Sequence, residues 1–325
     1  MEPAKELAGK ELLALDYERT IDDIARQFKE VVVRFRKRGA VVAVSGGVDS
    51  AVCCALAARA LGPERVLALL LPERESSPNA ERLALELIDQ LGVPYERKDI
   101  TGALEALGCY ERRDAAIRAV IPEYGPGWRN KLAIAGGLAG QFNHFYLVAG
   151  SPQGERIKKR LGLREYLEIV AATNFKQRTR KNVEYFHADR LNYVVVGTPN
   201  KLEYDQGFFV KNGDGSADIK PIAHLYKTQV YGLARHMGLP SEIINSTPTS
   251  DTYSLPQQQD DFYFALPYAQ LDIALLYLEG GRSARALAEA LGIDELAAAR
   301  VYADIEAKRR TTRYLHEAPV LLKGV

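Results

Sequence analysis

The sequence predicts an α/β fold, a doubly wound parallel sheet with helices on both faces in a Rossmann-like arrangement. Three observations lead there. Short runs rich in valine and leucine at 40–44, 66–73 and 191–200 read as buried strands. Segments of helical composition separate them, and strands alternating with helices need crossover connections and a parallel sheet. Polar stretches stand directly after the strand ends, at 45–50, 73–77 and 198–203, where ligands bind in such sheets.

The elements follow in order. From Thr20 to Arg38, apolar residues at Ile21, Ile24, Phe28, Val31, Val32 and Phe35 form a helical stripe, with Thr20 as the expected N-cap. "AVVAVSGGVDSAVCCALA" (40–57) then reads as strand, tight loop and helix. Gly46 and Gly47 allow bare backbone to approach a ligand, and the first N–H groups of the helix point into the same space, which suits an anion. The loop has no lysine and lacks the spacing of a Walker phosphate loop, and it is not a G-x-G-x-x-G fingerprint. A strand at 66–73, a helix over 79–91, a strand at 95–100, a longer helical region and a strand at 191–200 complete the alternation.

Composition excludes several classes. The 325 residues are 47% hydrophobic, enough for a sizeable core. With 43 Lys+Arg against 42 Asp+Glu, no global field draws nucleic acid or an anionic membrane. Three cysteines, with Cys53 and Cys54 adjacent in the first crossover helix, form neither a disulfide framework nor metal-ligand spacing, and read as buried fillers of a cytoplasmic protein. The N-terminal stretch carries acidic residues and no long apolar run, so neither a signal peptide nor a membrane span is expected.

Ser-Gly-Gly-x-Asp-Ser after a strand, Ser45 to Ser50, resembles the pyrophosphate loop of the N-type ATP pyrophosphatases, which split ATP between its α and β phosphates. A second block, "GTPNKLEYDQGFFVKNGDGSADIKPIAHLYKTQVYGLARHMGLP" (197–240), places Glu203 after a strand end, where it can reach across the sheet toward Asp49. Paired carboxylates beside a triphosphate suit Mg²⁺. Together with "TPT" at 247–249 and "KRR" at 308–310, these blocks resemble the NAD synthetase family, over about 20–312. The resemblance implies an adenine nucleotide alpha hydrolase-like domain over 1–325, with an inserted segment at about 108–168 and a C-terminal helical segment at about 265–312.

That family adenylylates the nicotinate carboxylate of deamido-NAD with ATP, releases pyrophosphate, and lets ammonia displace AMP. The resemblance assigns Ser45, Gly46, Gly47, Val48, Asp49 and Ser50 to the pyrophosphate, and Asp49 and Glu203 to Mg²⁺. Lys227 and Thr249 match phosphate contacts; Arg74 and Thr198 match nucleotide contacts. Asp49, Ser50, Lys227 and Thr249 are the expected catalytic set. "NFKQRTRKNVEYF" (174–186) resembles the family's Asn-x-x-x-Arg-x-Arg helix, so Asn174, Arg178, Arg180, Tyr185, Phe208, Lys211, Asp214 and Asp218 are expected around deamido-NAD, with Lys308 and Arg309 nearby. The family's site is shared between subunits, which implies a homodimer. No cysteine stands in a setting that suits glutamine hydrolysis, so free ammonia is the expected donor.

The chain departs from the family at Pro199, Lys201 and Ser216, and above all in the long stretch before Asn174. There "FYLVAGSPQGERI" reads as strand, turn and charged exit, and a long insertion beside a binding site is a candidate for altered substrate recognition. Another small carboxylate is therefore the rival acyl substrate. The two helices expected around Gly292 allow a helix-turn-helix reading, but Glu289, Asp294, Glu295 and Asp304 would repel phosphates; packing on the sheet is the preferred expectation. "SDTYSLPQQQDDFYFALPY" (250–268), polar and without periodicity, is expected to be a mobile flap.

Overall fold

The computed structural model describes residues 12–135, 144–246, 253–255 and 266–322. It opens with helix α1 (Tyr17–Arg34), which starts earlier than Thr20 because Asp16 is the cap: its carboxylate accepts from the N–H of Arg19 at 3.1 Å. The helix stops at Arg34, and Arg36 takes a left-handed φ of 55°. Next come β1 (Ala40–Ala43), α2 (Val48–Leu61), β2 (Val66–Leu70), α3 (Pro78–Leu91) and β3 (Tyr95–Arg97). The strands are shorter than the apolar runs suggested, since their ends pass into the polar loops that face the ligand side.

Helices α4 (Thr101–Ala106) and α5 (Cys109–Arg118) lead to three strands, β4 (Arg129–Ala135), β5 (His144–Gly150) and β6 (Arg156–Arg160). The 29-residue helix α6 (Leu163–Leu191) returns to β7 (Val194–Val196). Among the described residues, helices α7 (Lys201–Gln206), α8 (Lys227–His236), α9 (Ser241–Asn245), α10 (Tyr268–Glu279), α11 (Ala284–Leu291) and α12 (Glu295–His316) follow.

The main sheet runs β3-β2-β1-β7, all parallel, with Ala40 beside both Val66 and Val194. Alternation along the strands builds two cores, as the pleat requires. Ala40, Val42, Ala68 and Leu70 face one way into a cluster with α1, α2, α3 and α8. Val41, Leu67, Leu69 and Val195 face the other way, onto α4, α5 and α6. The sheet is thus covered on both sides, as expected of a doubly wound fold. Strand order reverses at β1, whose neighbours are β2 and β7, so a crevice opens at the carboxyl ends of β1 and β7.

The segment from 129 to 160 forms its own antiparallel sheet, β4-β5-β6, over a separate cluster that includes Ile117, Leu132, Leu147 and Ile169. The strand, turn and charged exit expected from 145–157 are β5, the turn at Ser151 and β6. The C-terminal pair bends at Gly292 (φ 69°), but α11 and α12 pack against α10 and α7 rather than on the sheet. They bury Leu275, Leu287 and Val301 on a third cluster, because the sheet's two faces are already covered. All three cysteines are buried and unpaired. Among the described residues, no helix is long and apolar enough to cross a membrane.

Candidate active site

A cleft of about 1170 Å³ opens at the switch point. Its floor is the loop between β1 and α2. Gly46 holds φ +82°, and a Cβ there would stand 2.2 Å from the carbonyl oxygen of Ala80, so only glycine lets α3 come this close. The buried Ser50 hydroxyl donates to the Gly47 carbonyl (2.9 Å) and accepts from the Ser45 N–H (3.2 Å), fixing the loop against the first turn of α2. Ser45, Gly46, Gly47, Val48, Asp49 and Ser50 all line the cleft, in the order the sequence suggested.

Asp49 meets Lys227, which α8 presents from its first position: the ammonium bonds to Oδ2 of Asp49. Lys227 is 1% exposed, and burial pulls its pKa down, yet the carboxylates of Asp49 and Glu203 outweigh this and hold it above the usual lysine value. Its backbone N–H donates to Asp272 (3.2 Å), and that of Thr228 does too (2.7 Å); burial pushes the Asp272 carboxyl up to about 6.

Glu203 is joined to Asp49 through Asn200, a residue the sequence reading did not single out. The fully buried Asn200 amide donates to Oδ1 of Asp49 (3.3 Å), its oxygen accepts from the Glu203 N–H (3.2 Å), and its own N–H donates to Glu203 Oε2 (3.1 Å). This is a capping box at the start of α7, and Asn-x-x-Glu in "NKLE" is its legible signature. Among the described residues, no three His, Cys, Asp or Glu side chains gather as a metal cluster. The two carboxylates facing one cleft, tied by one asparagine, fit an ion such as Mg²⁺ that takes its other oxygens from phosphates and water.

Helix α6 supplies the opposite wall. Tyr166, Val170, Asn174, Arg178, Lys181 and Glu184 recur at helical spacing along one cleft-facing stripe. Arg180 also lines the cleft and donates to the Leu71 carbonyl at 3.2 Å; Arg178 donates to the Lys211 carbonyl at 3.3 Å. Lys181 and Glu184, neither anticipated, form a buried ion pair at 2.6 Å. Burial pushes the Glu184 carboxyl up against the pull of Lys181, and nearby Asp214 is likewise raised by burial. Asp214 Oδ1 accepts from the Val210 N–H (2.8 Å), which closes its loop. Thr198, Phe208, Lys211 and Lys308 also line the cleft. The Lys211 ammonium donates to the Tyr314 carbonyl (2.7 Å), and Lys308 pairs with Asp304 (2.5 Å).

Four expected contacts lie outside the cleft lining. Arg74 stacks on the Tyr110 ring at 3.5 Å and pairs with Glu105 at 3.7 Å. Tyr185 packs into the core behind the sheet, where burial pushes its phenol up to about 12. Asp218 accepts from the Val195 N–H (2.8 Å) and so extends the pairing of β7. Arg309 grips Asp205 in a two-pronged ion pair, with its shortest contact at 2.7 Å. Arg74, Asp218 and Arg309 each take a partner distant in sequence. Thr249 and most of the expected flap lie outside the described residues.

A parallel sheet with an anion loop, a buried lysine and two carboxylates at its switch point is the architecture of an α/β enzyme that holds a phosphate-bearing ligand. The NAD synthase family model matches residues 20–123 and 153–314, and the chain belongs to that family. It is 51% identical to the NH3-dependent NAD+ synthetase of Rhizobium meliloti (strain 1021), over 96% of this chain and 94% of the relative. To the NH3-dependent NAD+ synthetase of Thermotoga maritima it is 37% identical, over 77% of this chain and 84% of the relative. Among solved structures, NMN synthetase from Francisella tularensis superposes with a TM-score of 0.67 at 21% identity, covering 96% of this chain and 100% of that one. The stretch the family model passes over, 124–152, is narrower than the insertion expected at about 108–168 and holds β4 and β5.

Proposed function

We propose that this chain is an ammonia-dependent NAD+ synthetase, a ligase that uses ATP to turn the nicotinate carboxylate of deamido-NAD into the carboxamide of NAD. One observation supports it most: Asp49, Glu203 and Lys227 converge on the anion loop in the same cleft that Asn174, Arg178 and Arg180 of α6 line. A carboxylate is a poor acyl donor because its leaving group would be oxide. Its oxygen attacks the α-phosphorus of ATP, the bond to the β,γ-pyrophosphate breaks, and the acyl-adenylate now carries AMP as a stable leaving group. Ammonia attacks the acyl carbon, loses a proton, and AMP departs with the former carboxylate oxygen.

The chain's part is charge and position. Pyrophosphate leaves onto the N–H groups at the start of α2, where the helix dipole favours negative charge. Lys227, kept charged by its two carboxylates, faces the charge that grows as that bond breaks, so its interaction strengthens toward the transition state. Mg²⁺ held by Asp49 and Glu203 would neutralise phosphate oxygens. Asn174, Arg178, Arg180, Lys211 and Asp214 hold the acyl substrate against the loop. Free ammonia is the donor: burial raises the thiols of Cys53 and Cys109, and that of Cys54 to about 12, leaving no thiolate nucleophile for glutamine. The enzyme works in the cytoplasm as a homodimer.

The test is product analysis. Purified protein with ATP, Mg²⁺, deamido-NAD and ammonium is expected to yield NAD, AMP and pyrophosphate in equal amounts, and glutamine is expected not to replace ammonium. ADP and phosphate as products, or turnover only with another carboxylate, would contradict the reading.

A further inference from the structure

The insertion brings an aromatic wall into the cleft. Phe145, on β5, stacks on Tyr166, in the first turn of α6, with ring centroids 3.8 Å apart and planes 20° apart. Both rings are half-buried and both line the cleft, beside Val170 and the buried Tyr253. Hydrogen bonds tie the base of the wall together: Asn130 on β4 donates its N–H to Ser254 (2.9 Å) and accepts from Leu255 (3.0 Å), joining the residues next to Tyr253 to the β4-β5-β6 sheet. Phe145 stands in the stretch that the family model does not match.

Its place along α6 says what it can meet. Arg180 donates to the Leu71 carbonyl just beyond β2 and so marks the carboxyl edge of the main sheet, where Asp49 and Lys227 stand. The helix runs outward from there toward its N-terminus. At 1.5 Å per residue, Asn174 lies about 9 Å and Tyr166 about 21 Å beyond Arg180. A carboxylate held at the anion loop leaves the wall facing the remote end of its own molecule, and a dinucleotide has a second flat ring at that end.

We propose that Phe145 and Tyr166 form a stacking subsite for the adenine ring of the acyl substrate, so that the insertion selects a dinucleotide over a shorter acid. This rests on deamido-NAD being that substrate. A purine presents a π-face that aromatic side chains accept without sequence of hydrogen bonds, and the loss of one such contact weakens binding by about tenfold.

Steady-state kinetics of Phe145→Ala and Tyr166→Ala test it, with deamido-NAD and with an analogue in which hydrogen replaces the adenine ring. Either variant is expected to raise KM for deamido-NAD about tenfold, with kcat nearly kept and KM for ATP changed less than about twofold. Wild-type enzyme is expected to show the raised KM on the analogue, and the variants to add nothing further, as a closed cycle requires. Phe145→Tyr, which keeps the ring, is expected to restore the wild-type KM, and Phe145→Leu, which fills the space without a π-face, is expected to behave as the alanine variant does. An unchanged KM for deamido-NAD, a rise in KM for ATP instead, or an equal loss on the analogue overturns the subsite while wild-type NAD formation upholds the proposed function. If wild-type protein forms no NAD, that function fails first and the subsite with it.

Discussion

Two clusters of buried charge stand on either side of the loop after β2, and they are built differently. Behind the loop, Lys176 pairs with Glu73 (3.0 Å) and Glu75 (2.6 Å), Arg113 pairs with Glu75 (2.7 Å), and the Tyr110 hydroxyl donates to Glu73 (2.6 Å). Lys176 is 1% and Glu73 0% exposed at the side chain, and neither lines the cleft. In front, Lys227 is as deeply buried, but its partner Asp49 keeps 18% of its side chain exposed and opens onto the cleft with Glu203. The first network is sealed from the cleft, whereas the carboxylates of the second stand at the cleft surface, where a ligand can reach them. The first clamps α5 and α6 onto the loop after β2, and the second serves chemistry.

Removing charge from the open cluster is expected to have the largest effect. Asp49→Asn and Glu203→Gln should each lower kcat by about a thousandfold or more, roughly 4 kcal/mol, when assayed well below the melting temperature of each variant. Near-normal turnover at saturating Mg²⁺ would show that the cluster is as structural as the one behind it. The closed cluster should respond in the opposite way. Lys176→Met strands Glu73 and Glu75 without their shared cation, and denaturant unfolding should show a loss of about 3 kcal/mol, with kcat within about threefold of wild type at low temperature.

Acid separates the two next. Burial raises the Glu75 carboxyl, but Lys176 and Arg113 more than offset this and bring it down to about 2 from an ordinary 4.5. A folded-state pKa below the unfolded one adds stability that is complete above pH 4.5 and is lost as pH falls toward about 2. The loss is on the order of 3 kcal/mol. Unfolding curves of wild type and Glu75→Gln should therefore converge across that window, and parallel curves would refute the assignment. The smallest effect belongs to the cleft wall: Arg180→Ala should raise KM for deamido-NAD about tenfold, the worth of one charge-assisted hydrogen bond, and leave KM for ATP nearly unchanged. Equal changes for both substrates would move Arg180 from the acyl end to the nucleotide end.

The open cluster was largely legible in the sequence and the closed one was not. Ser45 to Ser50 and Glu203 stand in local patterns, a strand-loop-helix junction and a strand end, so short-range rules point to them, whereas Lys227 at the start of its helix is reached only through the family resemblance of its block. Asn200 was within reach of the same rules, as the first residue of a capping box. Lys176 pairs with residues about a hundred positions away, Arg309 with Asp205 and Asp218 with β7, and no local pattern encodes which distant partner will claim a side chain. Arg74, Asp218 and Arg309 take such partners, and Tyr185 packs into the core, so all four stand outside the cleft lining of the single chain. The doubly wound sheet followed from its apolar runs because pleat alternation alone builds both cores. The inserted sheet was half legible: the β5 and β6 hairpin has a turn signal, whereas the meeting of Phe145 with Tyr166 depends on how β5 lies against α6.

The central claim is that the carboxylate is activated as an adenylate at the open cluster, and one isotope experiment reaches it directly. Deamido-NAD labelled with ¹⁸O in its nicotinate carboxylate is turned over with ATP and ammonium, and the products are weighed by mass spectrometry. The account predicts one labelled oxygen in the phosphate of AMP and none in pyrophosphate. Label in inorganic phosphate or pyrophosphate, or AMP free of label while NAD is formed, would contradict it.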